Sequence, residues 1–113
     1  MYSPNTPVDS SDIRANGPEY IDHAAKYLRR SPQRIKVFEA VYKKQGHTRS
    51  VDYLVEAAKM PRVRVLQEAD KLAAYGLIVK NKNQGKKGLS YSKMPFYAKN
   101  YTRILDYART RGN

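Results

Sequence analysis

Apolar residues recur every three to four positions over most of the chain, which is the pattern of helices that bury one face. Pro18 can occupy the first turn of a helix, and the apolar positions after it keep this spacing: Tyr20, Ile21, Ala24, Tyr27 and Leu28. Ser31 and Pro32 suit the N-cap and first turn of the next helix. We predict that this second helix ends near Gln45, with Gly46 as its left-handed cap.

A pair of shorter helices is predicted next. Ser50 suits the N-cap of the first, whose apolar residues are Val51, Leu54, Val55 and Ala58. Pro61 interrupts that helix and opens another. The second helix has apolar residues at the i, i+4, i+7 spacing of a buried face, namely Val65, Ala69 and Leu72. Gly76 is placed to end it.

The pattern then changes to that of a β-hairpin. Residues 77–79 are apolar and mostly β-branched, residues 83–88 have turn composition, and residues 89–92 alternate. Asn100 suits the cap of a last helix, whose apolar residues are Tyr101, Ile104, Leu105 and Ala108. Residues 1–17 contain Pro, Gly, Ser and Asn without apolar periodicity, so we predict a flexible N-terminal tail there.

Two segments of this pattern carry a resemblance to a known superfamily. Residues 54–65 resemble the turn of a helix-turn-helix, in which an apolar residue fills the corner between the helices, and Met60 stands at that position. The step from Leu72 to Ile78, followed by a basic hairpin, is similar to the junction of recognition helix and wing in winged helix-turn-helix DNA-binding domains. The resemblance covers about residues 32–94.

The resemblance implies a fold that is mainly α with a small β-hairpin wing, a winged helix-turn-helix with extra N- and C-terminal helices. We therefore expect a single domain over residues 18–113, with a winged-helix core at about 32–94 and a C-terminal helix at about 100–110. Two positions depart from the common pattern. Lys59 stands where many members have Gly, and Val55 stands where a small residue is common.

The charge of the chain restricts its partners. Its 113 residues carry 22 Lys and Arg against 10 Asp and Glu, a formal net charge of +12. This excess favours nucleic acid, an anionic membrane surface or an acidic protein as partner. No apolar run approaches the roughly 18 residues of a membrane span, and without Cys there is no thiolate metal site. We expect a cytoplasmic, nucleoid-associated or otherwise intracellular protein.

The helix after Pro61 carries the residues that we predict to read DNA bases. With its apolar face buried, its opposite face presents Arg62, Arg64, Gln67, Glu68 and Lys71. Arg can bind guanine and Gln can bind adenine bidentately in the major groove. The first turns of such a helix meet the bases, so base readout is predicted for Arg62, Arg64 and Gln67. The alternative is an ordinary solvated helix face.

Basic side chains of the hairpin are predicted to hold the DNA backbone or minor groove. Ser50 and Lys71, which lie outside the hairpin, are predicted to contact the backbone as well. The full set of predicted backbone contacts is Ser50, Lys71, Lys80, Lys82, Lys86, Lys87 and Lys93. The alternative is a Lys-rich hairpin that only prevents edge-to-edge aggregation. Tyr91 and Tyr97 are further candidates, for stacking on unpaired bases.

The terminal helices leave two arrangements open. Pairing across a two-fold axis would place two recognition helices one DNA turn apart, in a homodimer formed through Tyr101, Ile104, Leu105 and Ala108. Alternatively, the apolar faces of both terminal helices pack on the core of their own chain.

No catalytic chemistry is predicted. His23 and His47 are too far apart for a local metal motif, and the acidic residues show no paired spacing. We expect no enzyme, no metal and no cofactor. The first hypothesis is a sequence-specific double-stranded DNA-binding protein, most simply a small transcriptional regulator. The alternatives are a DNA-recognition domain of a larger restriction, replication or mobile-element system, and an RNA- or protein-binding winged helix.

Overall fold

The computed structural model describes residues 17–82 and 88–110. In that part of the chain, six helices and three strands follow in the order α1 (Gly17–Arg29), α2 (Pro32–Tyr42), β1 (Thr48–Ser50), α3 (Val51–Ala58), α4 (Arg62–Ala74), β2 (Ile78–Lys82), β3 (Leu89–Lys93), α5 (Pro95–Ala98) and α6 (Tyr101–Thr110). The predicted tail lies outside the described residues except for Gly17, which already belongs to α1. None of the described helices is long and apolar enough to cross a membrane.

The described strands form one antiparallel sheet in the order β1-β3-β2. β2 and β3 are the predicted hairpin, with Ile78 opposite Lys93 at its root. β1 is not predicted from the sequence, because three residues are too few to show an alternation of apolar and polar positions. Its pairing with residues 90–92 makes β3 the central strand. This position explains why all three of those residues are buried.

The helices and the sheet enclose one hydrophobic core, which buries the apolar faces predicted for them. Its largest fully buried side chains include Phe38, Leu54, Val65, Leu72, Leu77 and Ile78. The structure confirms a fold that is mainly α with a small β-hairpin wing, a winged helix-turn-helix with additional helices at both ends.

A buried tyrosine joins α2 to the two residues that flank the hairpin. The Tyr42 hydroxyl donates a hydrogen bond to the Leu77 carbonyl at 2.6 Å and accepts one from the Met94 N–H at 2.8 Å. Burial raises the pKa of Tyr42 to about 12, although the hydrogen bond from Met94 acts to lower it. The hydroxyl is therefore held in its neutral form, which can donate and accept at once.

The end of α2 differs from the prediction. The helix ends at Tyr42 rather than near Gln45, and Gly46 lies in the following loop with φ +99°. The reason is Arg49, which is 4% exposed. Its guanidinium donates to the carbonyls of Lys44 and Gly46, so two carbonyls of the loop are bound by a side chain rather than by a further helical turn.

The terminal helices pack on each other within the chain. α1 lies against α6, and the Arg29 guanidinium donates to the Tyr107 carbonyl at 3.0 Å. Of the residues predicted for a dimer, three are buried and Tyr101 is half-buried: Ile104 at 0%, Leu105 at 4% and Ala108 at 3% exposed. The apolar faces thus follow the second arrangement, packing on their own core, and the homodimer stays a prediction.

Candidate nucleic-acid interface

The turn between α3 and α4 lies where the helix-turn-helix is predicted. The Ser50 hydroxyl caps α3 by accepting a hydrogen bond from the Tyr53 N–H at 3.0 Å. Lys59 ends α3 with φ 57° and ψ 51°, a left-handed conformation that Gly adopts more easily. Met60 is 7% exposed and belongs to the core, as predicted for the residue that fills the corner. α4 then begins at Arg62.

α4 buries its predicted apolar face and exposes most of the opposite one. Val65, Ala69 and Leu72 are all 0% exposed. The predicted base-reading residues are exposed in the first two turns, and the predicted backbone contact follows one turn later: Arg62, Arg64, Gln67 and Lys71. The structure therefore exposes all four side chains. Arg64, Gln67 and Lys71 lie on one side of the helix by its periodicity of about 3.6 residues, whereas Arg62 is turned toward Asp52.

Glu68 is the exception, because the prediction that it lies on the exposed face is wrong. It is 2% exposed, and its Oε1 lies 2.9 Å from Nε of Arg34 in α2. Its Oε2 lies 4.0 Å from Nη1 of Arg64. Arg34 also donates to the Tyr27 carbonyl at 3.1 Å. A buried carboxylate needs a charged, hydrogen-bonded partner, and here α2 supplies it.

Arg62 lies beside a surface groove that joins the helix-turn-helix to the wing. The groove has a volume of about 470 Å³ and is lined by residues of β1, α3, α4 and β3: Thr48, Ser50, Val51, Asp52, Arg62, Leu89 and Ser90. The predicted contacts Ser50 and Arg62 thus meet in one concave surface. Its hydroxyls, its guanidinium and the N-terminus of α3 are groups that attract a phosphate.

Asp52 gives the same groove a negative charge. Its Oδ1 lies 2.7 Å from Nη1 of Arg62, and the two side chains are 86% and 60% exposed. An ion pair this exposed contributes only about 0.2–1 kcal/mol. Arg62 can therefore leave Asp52 for a better partner at little cost.

Asp70 of α4 binds a side chain from each strand of the wing. The Tyr91 hydroxyl donates to its Oδ1 at 2.6 Å, and Nζ of Lys80 lies 3.1 Å from the same oxygen. Partial burial acts to raise the pKa of Asp70, but the hydrogen bonds from Tyr91 and Lys80 and the charges of Lys80 and Lys82 lower it overall. Tyr91 is 0% exposed, so the prediction that it stacks on bases is wrong.

The predicted backbone lysines divide by their surroundings. Lys71 and Lys82 are exposed and form no ion pair with any described residue. Lys80 is held by Asp70, as described above. Lys86 and Lys87 lie outside the described residues. Of the predicted wing contacts that the structure describes, Lys82 is therefore the one most available to a ligand.

Lys93 occupies a different place from the other wing lysines. It lies at the root of the hairpin, where its Nζ donates to the Lys44 carbonyl at 2.9 Å. Partial burial, together with the charge of Arg49, lowers the pKa of Lys93. Its ammonium group therefore holds the loop after α2 through this hydrogen bond.

Two residues of this face are not singled out by the sequence pattern. Asp52, an acidic residue in the first turn of α3, pairs with Arg62. Val63 is 67% exposed at the second position of α4. The spacing of two valines at positions 63 and 65 is the signal that locates it, since residues two apart on a helix face opposite sides. Among the described residues, no group of three or more His, Cys, Asp or Glu could hold a metal ion.

Comparisons with known proteins support the fold. No protein-family model and no curated protein sequence matches the chain. The chain is similar to a solved structure of Bordetella bronchiseptica BpsR, a protein whose DNA binding is regulated by 6-hydroxynicotinic acid. The TM-score is 0.55 at 9% sequence identity, over 99% of this chain and 84% of that one. At this level of identity, the similarity means that the two chains share a fold.

Proposed function

We propose that the protein binds double-stranded DNA sequence-specifically, with α4 in the major groove and the wing on the backbone or minor groove, as a small transcriptional regulator. The observation that carries this proposal is the exposure of Arg62, Arg64 and Gln67 in the first two turns of α4, where a helix-turn-helix meets the bases. The formal net charge of +12 favours a polyanionic partner. The DNA binding of BpsR, which shares the fold, agrees with it.

In this proposal, base reading and backbone binding belong to different residues. Arg64 and Gln67 carry the planar groups that recognise guanine and adenine. Arg62 becomes a third base-reading residue when its ion pair with Asp52 is broken. Lys71 and Lys82 supply charge to the phosphates without reading sequence. Lys86 and Lys87 extend that set on the basis of sequence alone.

Ser50 completes the backbone contacts in this proposal. Its hydroxyl already accepts a hydrogen bond from the Tyr53 N–H, but a hydroxyl also carries one donor. Ser50 can therefore donate to a phosphate without giving up its role as the cap of α3.

The test is the selection of bound duplexes from a random pool, followed by binding titrations with the full chain. We expect an enriched consensus. Arg64→Ala should relax it at one base pair, because a lost bidentate contact removes about 1–3 kcal/mol of discrimination. Lys82→Ala should weaken all duplexes equally and reduce the salt slope by about 1. Lys26→Ala, an exposed lysine on α1, is the control and should retain consensus and slope.

The salt dependence gives an independent criterion. If about six to eight bases meet phosphates, log K should fall against log salt with a slope of about −5 to −7. A slope near zero would exclude the electrostatic part of the proposal. Strong binding without any consensus would indicate an architectural role, and preference for RNA over the duplex pool would indicate an RNA-binding winged helix.

A further inference from the structure

Val63 has the most exposed large hydrophobic side chain of the described residues, at 67%. It is the second residue of α4, between Arg62 and Arg64. The other exposed large hydrophobics, Tyr75 at 47% and Phe96 at 41%, each pack against another aromatic ring. Val63 thus stands outside the core and also outside the aromatic contacts of the surface.

Helical geometry places Val63 in the middle of the exposed face of α4. At 3.6 residues per turn it lies about 200° around the axis from Val65, which is 0% exposed. Gln67 follows one turn later on the same side. A major groove that receives this face would therefore bring the floor of the groove closest to Val63, with Gln67 and Arg64 beside it.

The chemistry of valine limits what it can recognise there. Its side chain neither donates nor accepts a hydrogen bond, so it would leave the polar edges of guanine, cytosine or adenine without a partner. Thymine alone among the four bases presents a methyl group in the major groove, where apolar side chains contact it. We propose that Val63 reads a thymine through its 5-methyl group, next to the base pairs read by Arg64 and Gln67. This inference rests on the proposed function.

The experiment removes only the methyl group. In the duplex selected with the full chain, each thymine is replaced in turn by uracil, and dissociation constants are measured by fluorescence anisotropy. We expect one position at which uracil weakens binding by the wild-type chain about fourfold, the effect of one buried methyl-sized group. Val63→Ala should bring the ratio between the thymine and uracil duplexes at that position toward one, because it removes the two methyl groups that reach furthest from the helix. The variant should fold, because Val63 is exposed and Ala favours helix.

Lys71→Ala is the matched control on the same helix. It should weaken binding to both duplexes and leave the fourfold ratio between them unchanged, since a phosphate contact carries no base information. Two results would overturn the inference while leaving the proposed function in place: equal binding of thymine and uracil duplexes by the wild-type chain at every position, or the same fourfold ratio in Val63→Ala. Selection that enriches no duplex would overturn the proposed function, and this inference with it.

Discussion

Arg34→Met should destabilise the domain more than the loss of any exposed ion pair, because it leaves the buried carboxylate of Glu68 without its main partner. The two groups are 2.9 Å apart, and their side chains are 8% and 3% exposed. Removing one partner of such a pair typically costs about 3–5 kcal/mol. Arg64, half-exposed and 4.0 Å from Glu68, offsets a small part of the loss. We therefore expect about 3 kcal/mol, a large share of the roughly 5–15 kcal/mol that stabilises a typical domain.

Urea unfolding followed by circular dichroism measures this loss. The control is Arg109→Met, which removes a partly exposed pair with Glu39 at 2.7 Å and should cost no more than about 1 kcal/mol. The double variant Arg34→Met/Glu68→Leu should recover most of the stability, because an apolar pair leaves no buried charge. A loss from Arg34→Met no larger than that from Arg109→Met would refute the role of the buried pair. So would a double variant in which the separate losses of Arg34→Met and Glu68→Leu simply add.

Three further predictions concern the interface and its supports. Asp52→Asn should strengthen duplex binding about two- to fivefold, because it removes a charge that repels phosphate and frees Arg62 from a weak ion pair. A weaker complex in mobility-shift titrations would contradict this expectation. Tyr91→Phe should lower the free energy of unfolding by about 1.5–3 kcal/mol at neutral pH by removing a hydrogen bond to ionised Asp70. The contacts of Asp70 lower its pKa below the usual value of about 3.9, so they stabilise the fold above that value. Their contribution to stability is lost as the pH falls through the folded-state pKa of Asp70. If the stability lost on Tyr91→Phe, measured by urea titration, does not shrink in acid, Asp70 is not the partner that matters. Lys59→Gly should leave the thermal midpoint of unfolding unchanged or raise it. The left-handed conformation costs a residue with a side chain about 1–2 kcal/mol, and this relief is opposed by the added chain entropy of Gly, about 0.5–1 kcal/mol. A clear fall in the midpoint would contradict this expectation.

The helix ends that the sequence predicts are mostly those marked by a capping residue close to the end itself. The cap at Ser50 and the left-handed glycine at Gly76 act within a few residues of the ends they mark, so a single sequence contains them. The end of α2 depends instead on Arg49, whose guanidinium reaches back to the carbonyls of Lys44 and Gly46. No helix-capping pattern describes such a contact, and the predicted helix is therefore too long.

The same distinction applies to the candidate site. The exposure of Arg62, Arg64 and Gln67 follows from the apolar spacing of α4 alone. Glu68 sits at the border of the apolar face, and its burial depends on a partner that is 34 residues away in the chain. Pairing of charges between distant elements leaves no periodic trace in one sequence, so the buried pair could be found only from the three-dimensional arrangement.

Tyr42 has a consequence for the kinetics of association. Because its hydroxyl holds the Leu77 carbonyl and the Met94 N–H at once, the two ends of the hairpin are joined to α2 through one atom. The two roots of the hairpin are thereby held to α2, so a duplex bound as proposed would meet this part of the described surface with its backbone already in place. The entropy lost on binding falls mainly on long side chains such as Arg64 and Lys82, at about 0.5–1.5 kcal/mol each. Complex formation would accordingly be limited by electrostatically guided diffusion rather than by a folding step.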